Sequence, residues 1–376
     1  MLPLSGLLVV SIEQAVAAPL CTARLAQAGA RVIKIERETG DFARLYDEAA
    51  KGDASYFTWL NQGKESVCLD FKTEAGHKAL LKLLKKADVL VQNLANGALE
   101  RAGLSTATLQ RINPRLIVCN ISGYGTNNTA AKRPAYDLLI QAESGLISVS
   151  GSPNELGRIG VSVCDISTGS TAYSGVLEAL IKRSISGKGD EISVSLFDVA
   201  ADWMSVPFMH AEYGEGAPKP VGLKHPSIAP YGAFECKDGM QILISIQNER
   251  EWKRLCVDVL NAPHFTTTLA YATNNKRVTN RDALETEIQN ITKQMSSKEF
   301  ESKLLDAQIA YGAINSADHL KSHAAFSQAE FKTTNDETIV VPAPPIKWTN
   351  ADELNLARPP KVGEHTDKVL KEFGAL

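Results

Sequence analysis

Apolar positions in the first half of the chain switch repeatedly between two periods. Residues 7–12, 32–35, 67–71, 89–92 and 116–121 form short runs rich in Val, Ile and Leu, as buried strands do. Helical patterns separate them. Pro19 to Gln27 is followed by a stop at Gly29, with proline suited to a first turn and glycine to a C-cap. Over residues 74–87, Ala79, Leu80, Leu83, Leu84 and Ala87 fall on one face and Lys78, Lys82, Lys85 and Lys86 on the other. A further apolar run, 159–164, stops at Asp165. Small residues follow (Ser167, Thr168, Gly169, Ser170, Thr171), then Ala172, Val176, Leu177 and Leu180 at helical spacing. This reads as a strand handing directly to a helix with an acid in the turn, and residues 191–196 supply a last strand. Strands alternating with helices of this length predict an α/β fold with a doubly wound parallel sheet.

The pattern changes near Gly222. The segment HPSIAPYGAFECKDGMQILISIQ predicts two antiparallel strands around a turn at Lys237-Asp238-Gly239, followed by helices over 249–260 and 282–305. The expected organisation is a large α/β domain over 1–222, a smaller α+β domain over 223–328, and a returning segment, 329–376. That segment is extended and proline-rich (VVPAPPIKWT) before a short helix over 366–373.

Charge narrows the function classes. Of 376 residues, 40 are basic and 43 acidic, giving a net charge of −3, and no block of one sign occurs. This argues against nucleic acid or a membrane surface as partner. The N-terminal run carries no preceding basic residue and closes at Glu13, too short for a signal peptide or a spanning helix. Six scattered cysteines, with no CxxC and no histidine at ligand spacing, predict reduced thiols, a cytoplasmic location and no metal site.

Familiar nucleotide motifs are missing. The turn after the first strand reads EQAVAAPLC, without the glycines a dinucleotide pyrophosphate needs, and there is no P-loop. Gly-x-Ser-x-Gly is also missing, and His365 suits a cap or surface position better than catalysis. Asp165 stands out instead. An acid before a helix meets unpaired N–H groups and the positive end of the dipole, which keeps a carboxylate ionised and nucleophilic at neutral pH. The same placement suits a plain turn cap, as does Asp137 at the start of its own apolar stretch. Arg37, Lys72 and Asn93 follow three predicted strands and share the edge of Asp165. Two cations and an amide there suit a phosphate-bearing ligand.

The segments GARVIKIERETGDFAR, VCLDFKTEAG, ADVLVQN, RPAYDLLIQAESGL, VCDISTG and KVGEHTDKVL occur in order over nearly the whole chain. Together they resemble the family III coenzyme A transferases, which include formyl-CoA and carnitine CoA-transferases and the related α-methylacyl-CoA racemases. The resemblance implies an interlocked homodimer and a nucleophilic Asp165 that passes through aspartyl anhydride and aspartyl-CoA thioester intermediates. Coenzyme A would enter as a thioester substrate, with no tightly bound cofactor. It would meet Arg37, Leu69, Asp70, Lys72, Asn93 and Arg101, and Pro134, Tyr136 and Asp137 would line the way to Asp165. The Val16-Ala17 pair falls where the family carries a glutamine, at the position of Val16, and Gln14 lies two residues earlier. SIQNEREW replaces the glycine-run loop that covers the formyl-CoA transferase site. Tyr136 stands where the racemases carry a histidine, and a phenol is a poor base at pH 7. The resemblance is greatest to the branch acting on C4–C5 dicarboxylates, such as mesaconyl-CoA and succinyl-CoA enzymes. The acceptor would then be a short carboxylic acid whose second carboxylate needs a cation, with Arg44, Arg133 and Lys224 as candidates. An intramolecular transferase, 2-methylfumaryl-CoA isomerase, would use the same chemistry.

Overall fold

The computed structural model describes residues 1–350 and 356–376. Six parallel strands form the main sheet: β1 (Leu8–Ile12), β2 (Arg31–Glu36), β3 (Lys64–Cys68), β4 (Val89–Gln92), β5 (Ile117–Ser122) and β6 (Glu191–Ser195), in the order β3-β2-β1-β4-β5-β6. Strand period two divides their side chains between two cores. Val9, Val32, Val89, Val91, Ile117 and Cys119 join one, together with helix α1 (Ala17–Gln27) and the 24-residue helix α4 (Val163–Ser186). Val10, Ile12, Ile33, Ile35, Leu90 and Val118 join the other, with α2 (Glu74–Leu84) and the C-terminal helix Thr366–Glu372. A sheet covered on both faces explains the near-continuous apolar runs of its strands. Strand order reverses between β1 and β4, so a crevice opens beyond their carboxyl ends, the usual ligand position in such sheets.

The run 159–164 is not a strand. Ser162 is the N-cap of α4, and Asp165 lies in that helix's first turn rather than at a strand end. Short apolar runs do not distinguish strand from helix. Here the decision comes from Asp137, the first residue of α3 (Asp137–Glu143). Its Oδ1 accepts the N–H groups of Cys164 (2.7 Å) and Asp165 (3.1 Å), satisfying helix donors 27 and 28 residues away.

By contacts the chain divides into two units. One comprises residues 1–146, 158–206 and 327–376, and the other residues 147–157 and 207–326. The second unit has its own core, a three-stranded antiparallel sheet in which Gln241–Ser245 lies between Tyr231–Glu235 and Ala310–Ala313. The third of these strands was not expected from the sequence. The proline-rich stretch begins as a hairpin, with Gln328–Lys332 pairing against Thr338–Pro342. Among the described residues no helix is long and apolar enough to cross a membrane, and all six cysteines are unpaired.

Candidate active site

Asp165 is placed by two helix starts. On its own helix it follows Val163 and Cys164, with Asp137 capping the Cys164 and Asp165 N–H groups in place of Ser162, whose hydroxyl is 2.7 Å from the Tyr56 hydroxyl. Against it stands the start of α1, whose Ala17 N–H favours the charged carboxylate. The helices approach this closely because residue 169 is glycine. A Cβ there would lie 2.5 Å from the Ala17 carbonyl oxygen and 2.8 Å from Leu20 Cβ.

These groups pull Asp165 in opposite directions. Burial, then the Asp137 charge, raise its pKa to about 7, and the Ala17 N–H only partly offsets them. The expectation of an aspartate ionised by helix ends alone is therefore corrected. The helix donors nearest to it are already bonded to another carboxylate, which repels it. Tyr46 sits in the same environment, pushed to about 12 first by its own burial and then by the Asp41 and Asp165 charges. Phe42, Tyr46, Tyr56 and Trp59 form a chain of tilted and edge-on ring contacts nearby.

A cavity of about 1080 Å³ opens at the carboxyl ends of β1, β2 and β3 and the first turn of α2. Leu69, Asp70, Arg37, Lys72 and Arg101 line it together. Among the described residues the three cations make no ion pair: Arg37 reaches the Gln14 side-chain oxygen at 3.5 Å and Arg101 the Asn96 carbonyl at 3.3 Å. Gly76 lets α2 begin against the Asp70 carbonyl, which a Cβ would meet at 2.0 Å. Gln14 also lines the cavity, so three further residues of chain lead from it to Ala17 and the Asp165 carboxylate.

The remaining predicted residues lie outside this lining. Asn93 clamps a backbone, accepting from Gln14 N (3.0 Å) and donating to Gln14 O (2.8 Å). Val16 and Ala17 are buried, and Val16 packs on Leu20 and Leu60. Pro134 and Tyr136 are exposed, Tyr136 to 66%. Asp137 is buried as the cap described above. The three cations named for a second carboxylate already have partners. Arg44 holds Glu36 at 2.7 and 3.2 Å, Arg133 holds Glu143, and Lys224 holds Glu285 at 2.6 Å. Sequence reading missed the buried charges beneath the Gln14–Ala17 turn: Glu13, Lys34, Asp41 and Lys64, each with a fully buried side chain. The signal was present, since Lys34 interrupts an otherwise apolar strand.

A half-buried carboxylate, reached by three residues of chain from a cation-lined crevice, over a sheet without the dinucleotide glycines, is the arrangement that covalent chemistry on an anionic acyl carrier would need. Comparison with known proteins narrows this chemistry. The profile of CoA-transferase family III matches residues 4–366. The acetyl-CoA:oxalate CoA-transferase of Acetobacter aceti is 32% identical over 99% of this chain and 96% of its own. The succinyl-CoA:glutarate CoA-transferase of Homo sapiens is 30% identical over 98% of this chain and 86% of its own. A crystal structure of a CAIB/BAIF family protein from Brucella suis superposes with a TM-score of 0.85 at 31% identity, covering 99% of both chains. The chain belongs to CoA-transferase family III and is a CoA-transferase.

Proposed function

We propose that this enzyme moves CoA between an acyl-CoA and a short dicarboxylic acid, with Asp165 as nucleophile. The observation that carries the proposal is the Asp165 carboxylate, set at the start of α1 one short turn away from the cation-lined cavity. In this reading Arg37, Lys72 and Arg101 take the CoA phosphates, with Leu69 and Asp70 beside the adenine. The pantetheine arm passes Gln14 and the turn that ends at Ala17, where Tyr136 and Pro134 border the approach.

The ionised Asp165 attacks the thioester carbonyl, the C–S bond breaks, and CoA thiolate leaves an aspartyl–acyl anhydride. The thiolate then attacks the Asp165 carbonyl carbon, releasing the donor acid and leaving an aspartyl-CoA thioester. The acceptor carboxylate displaces the thiolate, forming a second anhydride. The thiolate takes the new acyl group and the Asp165 carboxylate is restored. Each step exchanges one acyl–heteroatom bond for another, so neither ATP nor a redox partner is consumed. A dicarboxylate acceptor fits the oxalate and glutarate in the names of the two relatives.

A homodimer is part of the proposal. Helix Ser205–Tyr213 has no buried residue, although it carries Val206, Phe208, Met209 and Tyr213, and exposed apolar surface of this kind marks an interface. A reducing, cytoplasmic setting suits six unpaired cysteines.

The experiment gives purified enzyme succinyl-CoA with oxalate, glutarate, mesaconate or acetate, and mesaconyl-CoA alone, and reads CoA thioesters by mass spectrometry. New dicarboxylyl-CoA products that vanish in Asp165→Ala support the proposal. Isomerised mesaconyl-CoA without added acid would replace it with intramolecular transfer, and full activity in Asp165→Ala would refute it.

A further inference from the structure

Beneath the turn that leads into α1 lies a group of charges with no access to solvent. Lys34 of β2 reaches Asp41 at 2.7 Å and Glu13 at 3.7 Å, and Lys64 of β3 reaches Glu13 at 2.7 Å. Two lysines and two carboxylates neutralise one another, with the Glu13, Lys34, Asp41 and Lys64 side chains at 0% exposure. A buried charge group of this kind is weak evidence for stability, because desolvation offsets its Coulomb gain. Its retention asks for another explanation.

Its remaining hydrogen bonds supply one. Asp41 Oδ1, the oxygen not facing Lys34, accepts the Ala15 N–H at 3.1 Å. Ala15 has φ of +64°, the left-handed region that a non-glycine residue holds only when its surroundings impose it. Lys64 donates to the Pro19 carbonyl at 3.0 Å, and Glu13 accepts the Thr22 hydroxyl at 2.6 Å, both within α1. The group therefore grips the chain on both sides of Ala17. It holds the left-handed residue two positions before, and helix residues two and five positions after.

We propose that Glu13, Lys34, Asp41 and Lys64 are positioning residues for the nucleophile: they impose the turn at Ala15 that sets the start of α1, packed on α4 at Gly169, against the Asp165 side chain. The inference rests on the reading of Asp165 as nucleophile for its catalytic meaning, but not for its geometry. The titratable groups facing Asp165 are Asp137 from α3, Tyr46 from the loop after β2, and Cys164 on its own helix. Lys34 and Asp41 act on it only through the turn.

The test measures Asp165 titration directly, by carbon-13 NMR of aspartate-labelled protein with Asp165→Asn assigning the signal. The variants are Asp41→Ala and the charge-neutral Ala15→Val, whose β-branched side chain resists positive φ. Removing a negative charge through space would lower the midpoint of Asp165, whereas loss of the Ala17 N–H raises it. An upward shift of about half a pH unit or more in Asp41→Ala, with a smaller one in Ala15→Val, supports the proposal. An unchanged or lowered midpoint in Asp41→Ala overturns it and leaves an ordinary buried ion cluster. If Asp41→Ala does not fold, Ala15→Val decides alone, and an unchanged midpoint there is the contrary result. The titration is independent of turnover. An inactive wild type, or an active Asp165→Ala, would refute the catalytic reading without altering this outcome.

Discussion

In the proposed mechanism Asp165 has opposing requirements, charged to attack and shielded to form a reactive anhydride. Burial and the Asp137 carboxylate raise its pKa to about 7. The acid limb of kcat/KM is therefore expected near pH 7, well above an ordinary carboxylate, with activity lost as pH falls. Asp137→Asn keeps an oxygen for the helix N–H groups but removes the repelling charge, so the limb should move to lower pH, measurable in initial rates from pH 5 to 9. The same shift has a stability consequence. A carboxyl whose folded pKa lies above its unfolded value binds more protons when folded, so stability falls as pH rises from about 4 to 7. Asp165→Asn should therefore be more stable than wild type at pH 8, by about 1–2 kcal/mol, and indistinguishable near pH 4. Thermal unfolding at the two pH values checks this.

At the scale of elements, the site depends on how closely α1 and α4 approach. Gly169 is the contact that permits it, and a methyl group there would press on the Ala17 carbonyl and Leu20. Gly169→Ala should cost about 1–3 kcal/mol through overpacking. By parting the nucleophile from the start of α1, it should also lower kcat more than KM for the CoA ester. The cavity cations predict the reverse pattern. Lys72→Ala or Arg101→Ala should raise KM for CoA thioesters about five- to tenfold each, the value of one charge-assisted contact, with kcat little changed. The sheet strands and α1 and α2 were legible in the sequence because burial on both sheet faces writes continuous apolar runs in the strands and helical spacing in the covering helices. The start of α4 was not, because an apolar run of six is ambiguous and its cap comes from α3. Arg37 and Lys72 could be placed from their positions after strands, and Arg101 from the family resemblance. For Asn93, sequence position could not show that its amide is bonded to the Gln14 backbone. The pKa of Asp165 was misjudged for the same kind of reason, being set by burial and a distant carboxylate.

For the whole molecule, the family and its enzyme class follow from matches running through nearly the entire chain, whereas the acceptor acid does not. The cations nominated for a second carboxylate are held by Glu36, Glu143 and Glu285. If the acceptor is a diacid as proposed, these paired cations do not hold its second carboxylate, and Arg133→Lys should leave the preference among oxalate, glutarate and acetate unchanged in competition assays. The exposed apolar helix Ser205–Tyr213 predicts a solution mass of twice the 40.6 kDa chain by light scattering. Phe208→Glu with Met209→Glu should shift that mass toward the monomer. The central claim, covalent transfer through Asp165, is tested most directly by trapping the enzyme. Protein incubated with succinyl-CoA is reduced with borohydride and digested, and the peptide containing residue 165 is sequenced by mass spectrometry. An acyl bond at Asp165 predicts its conversion to homoserine, dependent on the CoA ester. An unmodified Asp165 in enzyme that is turning over, or a modification at another residue, would contradict the mechanism.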